Sequence, residues 1–188
     1  LPFSREEIAD VISRQNDKKS PGEDGISANI FKVAYDVTPD VFNKFYNLCL
    51  HLKHFPVWFK SSLVRAIPKA SSAGSANAKA WRPISLISVP GKILEKLLID
   101  RINYNLRSRE LLSEKQYGFT PKKSTIDAIS QVVNRIKHIR ENRLIGAVVS
   151  LDVSGAFDNA FWPAILHRLK QFSIPHNLWH LCENYLSN

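Results

Sequence analysis

Apolar residues recur at helical spacing through most of this chain, broken twice by short stretches that alternate or run continuously. Ser4-Arg5-Glu6-Glu7 has the pattern of a capping box, with Ser4 as N-cap and Glu7 reaching back. Ile8, Val11 and Ile12 follow as a stripe, and the spacing predicts a helix ending near Asp17. Lys18 to Ile26, KKSPGEDGI, is a turn-rich loop with one Pro and two Gly. Ser27 is placed to cap a short helix carrying Ile30, Phe31 and Ala34. Thr38-Pro39 reads as an N-cap and first helical residue, opening a helix lined by Val41, Phe42, Phe45, Tyr46, Leu48, Cys49 and Leu52. Pro56 ends it. Ser62–Lys69 and Trp81–Ser88 read as two strands, joined by a small, polar hairpin tip over Ala70–Lys79. The Pro in the second strand suits an edge. Pro90-Gly91 leads into a long amphipathic helix with Ile93, Leu94, Leu97, Leu98, Ile102 and Leu106 on one face. Ser124 with Asp127 marks another helix start, and Ile126, Ile129, Val132, Val133, Ile136 and Ile139 line a face beyond it. Two last helices are expected, one capped near Asp158 and Asn159 and opened by Pro163, the other from Pro175 to the end.

Between these helices lies the stretch around which the chain is organised, Leu144–Trp162, LIGAVVSLDVSGAFDNAFW. Leu144–Leu151 is nearly continuous and rich in Val and Ile, the pattern of a strand buried on both faces. The strand, expected to run to Val153, delivers Asp152, with a small-residue turn, Ser154-Gly155-Ala156, behind it. An ionised carboxylate at such a strand end needs a cation or hydrogen bonds to satisfy it. A divalent ion with oxygen ligands is one solution, and a helix cap is the other.

Composition narrows the partners. The 188 residues are 44% hydrophobic and 23% charged, enough to build a core. Lys and Arg number 26 against 17 acids, a net charge of +9, which favours a polyanionic partner whose phosphates release counterions on binding. No apolar run approaches a bilayer span and no signal peptide is visible, so no membrane partner is expected. Cys49 and Cys182, each in an apolar helical setting without a CxxC or Cys/His pattern, read as buried reduced thiols in an intracellular protein. The chain starts at Leu1 and contains no Met, so it reads as a piece of a longer polypeptide.

Four separated segments, in order, carry a resemblance: SPGEDGI at Ser20–Ile26, IPK with WRPISL at Ile67–Lys69 and Trp81–Leu86, Gln116-Tyr117-Gly118-Phe119 leading to Ser124-Thr125, and DVSGAFDN at Asp152–Asn159. Together they resemble the reverse transcriptases of LINE-type (non-LTR) retrotransposons, over fingers and the first part of the palm. The resemblance implies an α/β fold (α+β palm-and-fingers polymerase type), helix-rich, with a fingers hairpin standing apart from an incomplete palm sheet. It divides the chain into an N-terminal extension with fingers, 1–143, and the start of the palm, 144–188.

It also implies roles. Asp152 is the motif A carboxylate that binds two Mg²⁺ ions, aided by the backbone carbonyl of Val153. Gly155, Ala156 and Phe157 line the incoming nucleotide, with the Phe157 ring excluding a 2′-hydroxyl. Arg82 contacts the nucleotide's phosphates, and Lys69 is carried over beside it; spacing alone favours reading the two as solvated hairpin charges, and it is the resemblance that assigns them to the nucleotide. Lys18, Lys19, Gln116, Gly118, Phe119, Lys122 and Lys123 face nucleic acid. Thr120 and Lys122 depart from the usual Arg and Gly of the QxGFRxxxST segment. The implied activity is RNA-directed DNA synthesis from dNTPs on an RNA template, with a DNA primer or target. The implied partners are the rest of a polyprotein, with remaining palm, thumb and an endonuclease, at work in the nucleus. The sequence has no Asp-Asp dipeptide and no Pro-Gln-Gly-type segment, which the family carries after motif A, so the chain by itself is expected to be inactive. The competing readings are an RNA-binding, maturase-like or domesticated module that does not polymerise, and an α/β phosphohydrolase. The second lacks the Gly-rich phosphate loop such enzymes use.

Overall fold

In a computed structural model, which describes residues 1–69, 77, 80–153, 155–156 and 159–187, the chain forms eight helices and two strands. The hairpin tip 70–79 apart from Asn77, and Ser154, Phe157 and Asp158, lie outside the described residues. The chain divides into two compact units, Leu1–Asn105 with Pro163–Asn188, and Leu106–Trp162. This is a division by contact, a different property from the fingers and palm assignment at 143/144.

In the first unit, α1 (Arg5–Ser13) opens on the expected capping box: Ser4 Oγ accepts from the Glu7 N–H at 3.1 Å, and Glu7 Oε2 accepts from the Ser4 N–H at 2.7 Å. The helix stops at Ser13, earlier than Asp17, because side chains satisfy its last carbonyls. Ser13 Oγ donates to the Asp10 carbonyl at 2.8 Å and Gln15 Nε2 to that of Val11 at 3.1 Å. α2 (Ala28–Val37) and α3 (Pro39–Leu52) follow as expected, but neither cap works as read. Ser27 makes no capping bond to the helix backbone, its hydroxyl meeting Asn29 instead. Thr38 Oγ1 donates backwards to the Ala34 carbonyl at 3.1 Å, so it closes α2 and does not cap α3. On α3 the buried side is Tyr46, Cys49 and Leu50, while Val41, Leu48 and Leu52 are exposed.

α4 (Val57–Lys60) is a single turn after Pro56. β1 (Ser62–Pro68) and β2 (Trp81–Ile87) pair antiparallel from Ser62 opposite Ile87 to Pro68 opposite Trp81. α5 (Val89–Ser108) begins before Pro90, and Ser88 Oγ accepts from the Gly91 N–H at 3.2 Å. The core collects Ile8, Tyr46, Phe55, Ile93, Leu94 and, from α8 (His176–Leu186), Leu181. Tyr46 Oη donates to the Pro90 carbonyl at 3.4 Å, and Asn184 Oδ1 accepts from the Phe55 N–H at 2.7 Å. Cys49 and Cys182 are buried free thiols, and burial pushes both up to about 11.

Arg101, on α5, closes the N-terminus. Its guanidinium donates to Glu7 Oε1 at 2.7 Å and Oε2 at 2.6 Å and to the Pro2 carbonyl at 2.7 Å. These bonds hold the Glu7 carboxyl below the ordinary glutamate range, against the opposing effect of its partial burial. A carboxyl depressed in the folded state stabilises above its unfolded pKa, and that contribution is lost as pH falls through the folded one. Glu7→Gln should therefore lose less thermal stability than the parent chain as a melting series descends through the acid range. Parallel losses would show that the pair contributes nothing.

Gly22 sets the other joint. A Cβ placed there would lie 2.6 Å from Ser88 N and 2.8 Å from both Ile87 C and Ser88 Cα, all backbone atoms. The Ser20–Ile26 loop thus lies directly on the junction of β2 and α5. Gly22→Ala should cost about 1–3 kcal/mol, the usual penalty for overpacking. An unchanged urea midpoint would show that the loop simply moves aside.

In the second unit, α6 (Thr125–Glu141) starts on a Ser124/Asp127 capping box, with Ser124 Oγ accepting from the Asp127 N–H at 3.2 Å. α7 (Trp162–Gln171) starts at the end of this unit and continues in the first. Most of the expected apolar face of α6 is uncovered: Ile126, Ile129, Val132, Val133 and Ile136 are exposed, while Ile139 is half-buried against Gly146. The expected strand Leu144–Val153 is not formed. Those residues carry no strand pairing, and Ile145, Val148, Val149 and Leu151 are exposed. The physical reason is the lack of a neighbour. Among the described residues the sheet has two strands, and they pair with each other. The palm sheet expected from the sequence is therefore absent from the described residues, and the fold they show is helix-rich with one antiparallel hairpin.

Candidate nucleotide and nucleic-acid interface

The hairpin brings two of the expected residues together. Register places Arg82 opposite Ile67, and the Lys69 N–H donates to the Ala80 carbonyl at 2.8 Å, continuing the ladder by one position. Residues that face each other across a ladder project from the same side, and so do residues two apart. Lys69 and Arg82 are therefore diagonal neighbours on one face. A planar guanidinium fork beside an ammonium on a strand surface can grip a phosphate chain from two directions. Period-2 alternation also puts Arg65, opposite Ile84, on that face; sequence reading passed over it, although the alternation carried the signal.

The root of the hairpin carries further positive charge. Lys18 and Lys19 are exposed on the loop that Gly22 seats against Ser88. Lys92, in the first turn of α5, has its pKa lowered first by partial burial and then by the like charge of Lys19, with Asp24 opposing. A cleft beside it is lined by Glu23, Asp24, Trp58, Phe59, Ser61 and Ser88.

In the second unit, Gln116 to Lys123 form a loop whose members differ in role. Gln116 Nε2 donates to the Gly118 carbonyl at 2.9 Å, Tyr117 Oη donates to Gln131 Oε1 at 2.8 Å, and Lys123 Nζ stacks 5.1 Å from the Tyr117 ring centre while donating to the Glu114 carbonyl. Lys123 thus braces the loop. Phe119 and Lys122 both sit at positive φ, 56° and 62°. Phe119 is 94% exposed and Lys122 is exposed too. The left-handed backbone at Lys122 is the conformation a Gly supplies at no cost.

Asp152 and Val153 are exposed, as are Gly155, at φ 59°, and Ala156; the Gly155 carbonyl accepts from the Asn159 N–H at 2.8 Å. Phe157 is outside the described residues. A carboxylate and an adjacent carbonyl are hard oxygen donors of the kind Mg²⁺ takes, so this pair fits part of a divalent-metal set. Among the described residues no group of three or more His, Cys, Asp and Glu side chains converges as a complete site. The hairpin belongs to one compact unit, and the Gln116 loop and Asp152 to the other.

The reverse transcriptase (RNA-dependent DNA polymerase) family matches residues 67–188, a range that takes in Lys69, Arg82, the Gln116 loop and Asp152. The chain belongs to the reverse transcriptase family. Relatives agree with this. A 115 kDa protein of the type-1 retrotransposable element R1DM of Drosophila melanogaster is 30% identical over 87% of this chain and 16% of its own length. A retrovirus-related Pol polyprotein from type-1 retrotransposable element R1 of Bradysia coprophila is 30% identical over 88% and 16%. The RNA-directed DNA polymerase from mobile element jockey of Drosophila melanogaster is 27% identical over 99% and 20%. This reverse transcriptase chain therefore spans a fifth or less of these relatives. Among the described residues no helix is long and apolar enough to cross a membrane.

The different roles of the two loop lysines are open to test. Lys123→Gln should speed amide exchange over residues 113–124, whereas Lys122→Gln should leave exchange unchanged. Equal protection in both variants would remove the bracing role of Lys123.

Proposed function

We propose that this chain is the fingers and first part of the palm of an RNA-directed DNA polymerase of a non-LTR retrotransposon, copying RNA from a DNA 3′-hydroxyl. The observation that carries the proposal is the family match, which takes in Lys69 and Arg82 of the basic hairpin as well as Asp152. In the reaction, the primer's 3′-oxygen forms a bond to the α-phosphorus of a dNTP, the bond from that phosphorus to the bridging oxygen breaks, and pyrophosphate leaves. Arg82 and Lys69 hold the triphosphate and offset the charge that builds on it. Asp152 and the Val153 carbonyl are the residues that would hold divalent metal, two Mg²⁺ ions in the complete enzyme. Such ions, when bound, neutralise phosphate charge and favour the attacking alkoxide. Gly155, Ala156 and Phe157 bind the incoming nucleotide, where the apolar ring of Phe157 rejects a ribose by leaving its extra hydroxyl unpaired. Lys18, Lys19, Gln116, Gly118, Phe119, Lys122 and Lys123 line the path of template and primer.

One carboxylate does not complete a two-metal set, so this chain alone is inactive and works as part of a polyprotein with the rest of the palm, a thumb and an endonuclease, in the nucleus. Primer extension on an RNA template tests both halves. The 188-residue chain should extend nothing. In a polypeptide joining it to a downstream Asp-Asp segment, Asp152→Asn should lower extension on the order of 10²–10³-fold, the scale of removing one preorganised electrostatic group, with RNA binding retained. Extension by Asp152→Asn at the parent rate would refute the assignment.

A further inference from the structure

The hairpin's basic face is longer than a nucleotide's phosphate chain. Arg65, Arg82 and Lys69 follow one another along it on successive diagonals, with Arg82 in the middle. Arg65 and Arg82 are both exposed, and neither guanidinium has an ion-pair or hydrogen-bond partner among the described residues. Like charges at neighbouring ladder positions repel and lower the stability of the bare ribbon. A polyanion lying across the face relieves that repulsion.

The spacing says which polyanion. Arg65 and Lys69 are four residues apart on one strand, about 14 Å at the usual rise. Strand side chains stand roughly perpendicular to the ribbon, so the two ends of this row do not converge on one point. If Lys69 and Arg82, at the tip end, hold a triphosphate, Arg65 at the root end meets a different phosphate. A nucleic-acid strand carries one phosphate per nucleotide along its whole length, so a strand running along the ribbon supplies a partner there. Ile67 and Ile84, 48% and 41% exposed, lie between the cations on the same face and give sugars and bases an apolar surface.

We propose that Arg65 binds the backbone of the single-stranded RNA template, as a contact separate from the nucleotide contact of Arg82. The identity of the strand rests on the polymerase reading above; the phosphate contact rests on the ribbon. Arg65 grips a phosphate through its guanidinium fork without reading sequence, so it sets the template's position and not its identity.

The test uses the 188-residue chain with a fluorescein-labelled single-stranded RNA, followed by anisotropy between roughly 50 and 200 mM salt. Arg65→Gln should reduce the slope of log K against log salt by about 0.7, the loss of one phosphate contact on a single strand. The reduction should be the same for RNAs of unrelated sequence, and Arg65→Lys should restore the slope because it keeps the charge. The thermal midpoint should not fall, since the side chain is exposed and unpaired and its removal relieves repulsion. An unchanged slope in Arg65→Gln overturns the proposal, and so does a slope that changes for one RNA sequence only. In the polymerase-competent polypeptide, Arg65→Gln should leave the dNTP KM unchanged while Arg82→Gln raises it; a rise of equal size in both would place Arg65 in the nucleotide site instead. Failure of the polymerase reading looks different: Arg65→Gln changes the slope as expected, yet no extension occurs in the joined polypeptide.

Discussion

A strand cannot satisfy its own backbone. Every N–H and C=O along Leu144–Val153 must find a partner on a neighbouring strand or in water. The described residues offer no neighbour, and the run stands open with its Val and Ile side chains in solvent. The same condition explains the bare apolar face of α6, which would need a sheet to pack against. Both features are what a two-sided apolar strand and an amphipathic helix look like when a covering layer is missing, although the two meet directly where Gly146 lies against Ile139. Asp152 inherits its exposure from this, because it sits on a segment that no ladder holds in place.

The hairpin solves the same problem by pairing within itself. β1 and β2 satisfy each other, and Gly22, Ser88 and Gly91 fix the root where β2 turns into α5. Arg101 and Tyr46 tie α5 in turn to the N-terminus and to α3. The cations of the hairpin are therefore mounted on a buried helical core, whereas the carboxylate is not.

That contrast also explains what could be read from residues alone. Capping boxes at Ser4 and Ser124, the Pro39 start and both hairpin strands were legible because their causes are local in the chain. Thr38 and Ser27 misled because a hydroxyl near a helix start has several backbone or side-chain partners within reach, and sequence does not say which it takes. The palm strand misled for a different reason: Val and Ile in a row report a preference for burial, and burial depends on partners that periodicity cannot see. Of the candidate site, the identities of Lys69, Arg82 and Asp152 came from motif and the shared face of the first two from register. Arg65 was overlooked because no motif names it. Lys123 looked interchangeable with Lys122 until its bonds to Glu114 and Tyr117 separated them.

The last helix has a less obvious bearing on the hairpin. Lys60, in the single turn that precedes β1, donates to the carbonyls of Asn184 and Ser187, while the Asn184 side chain holds the Phe55 N–H. The end of α8 is thus a clasp on the stem from which the ribbon grows. Trimming the chain ahead of Asn184 would strip the Phe55 ring of its Tyr185 neighbour, 4.5 Å away between centres, and leave the Lys60 ammonium without either carbonyl. Residues outside the four motif segments would then decide how firmly the basic ribbon is aimed.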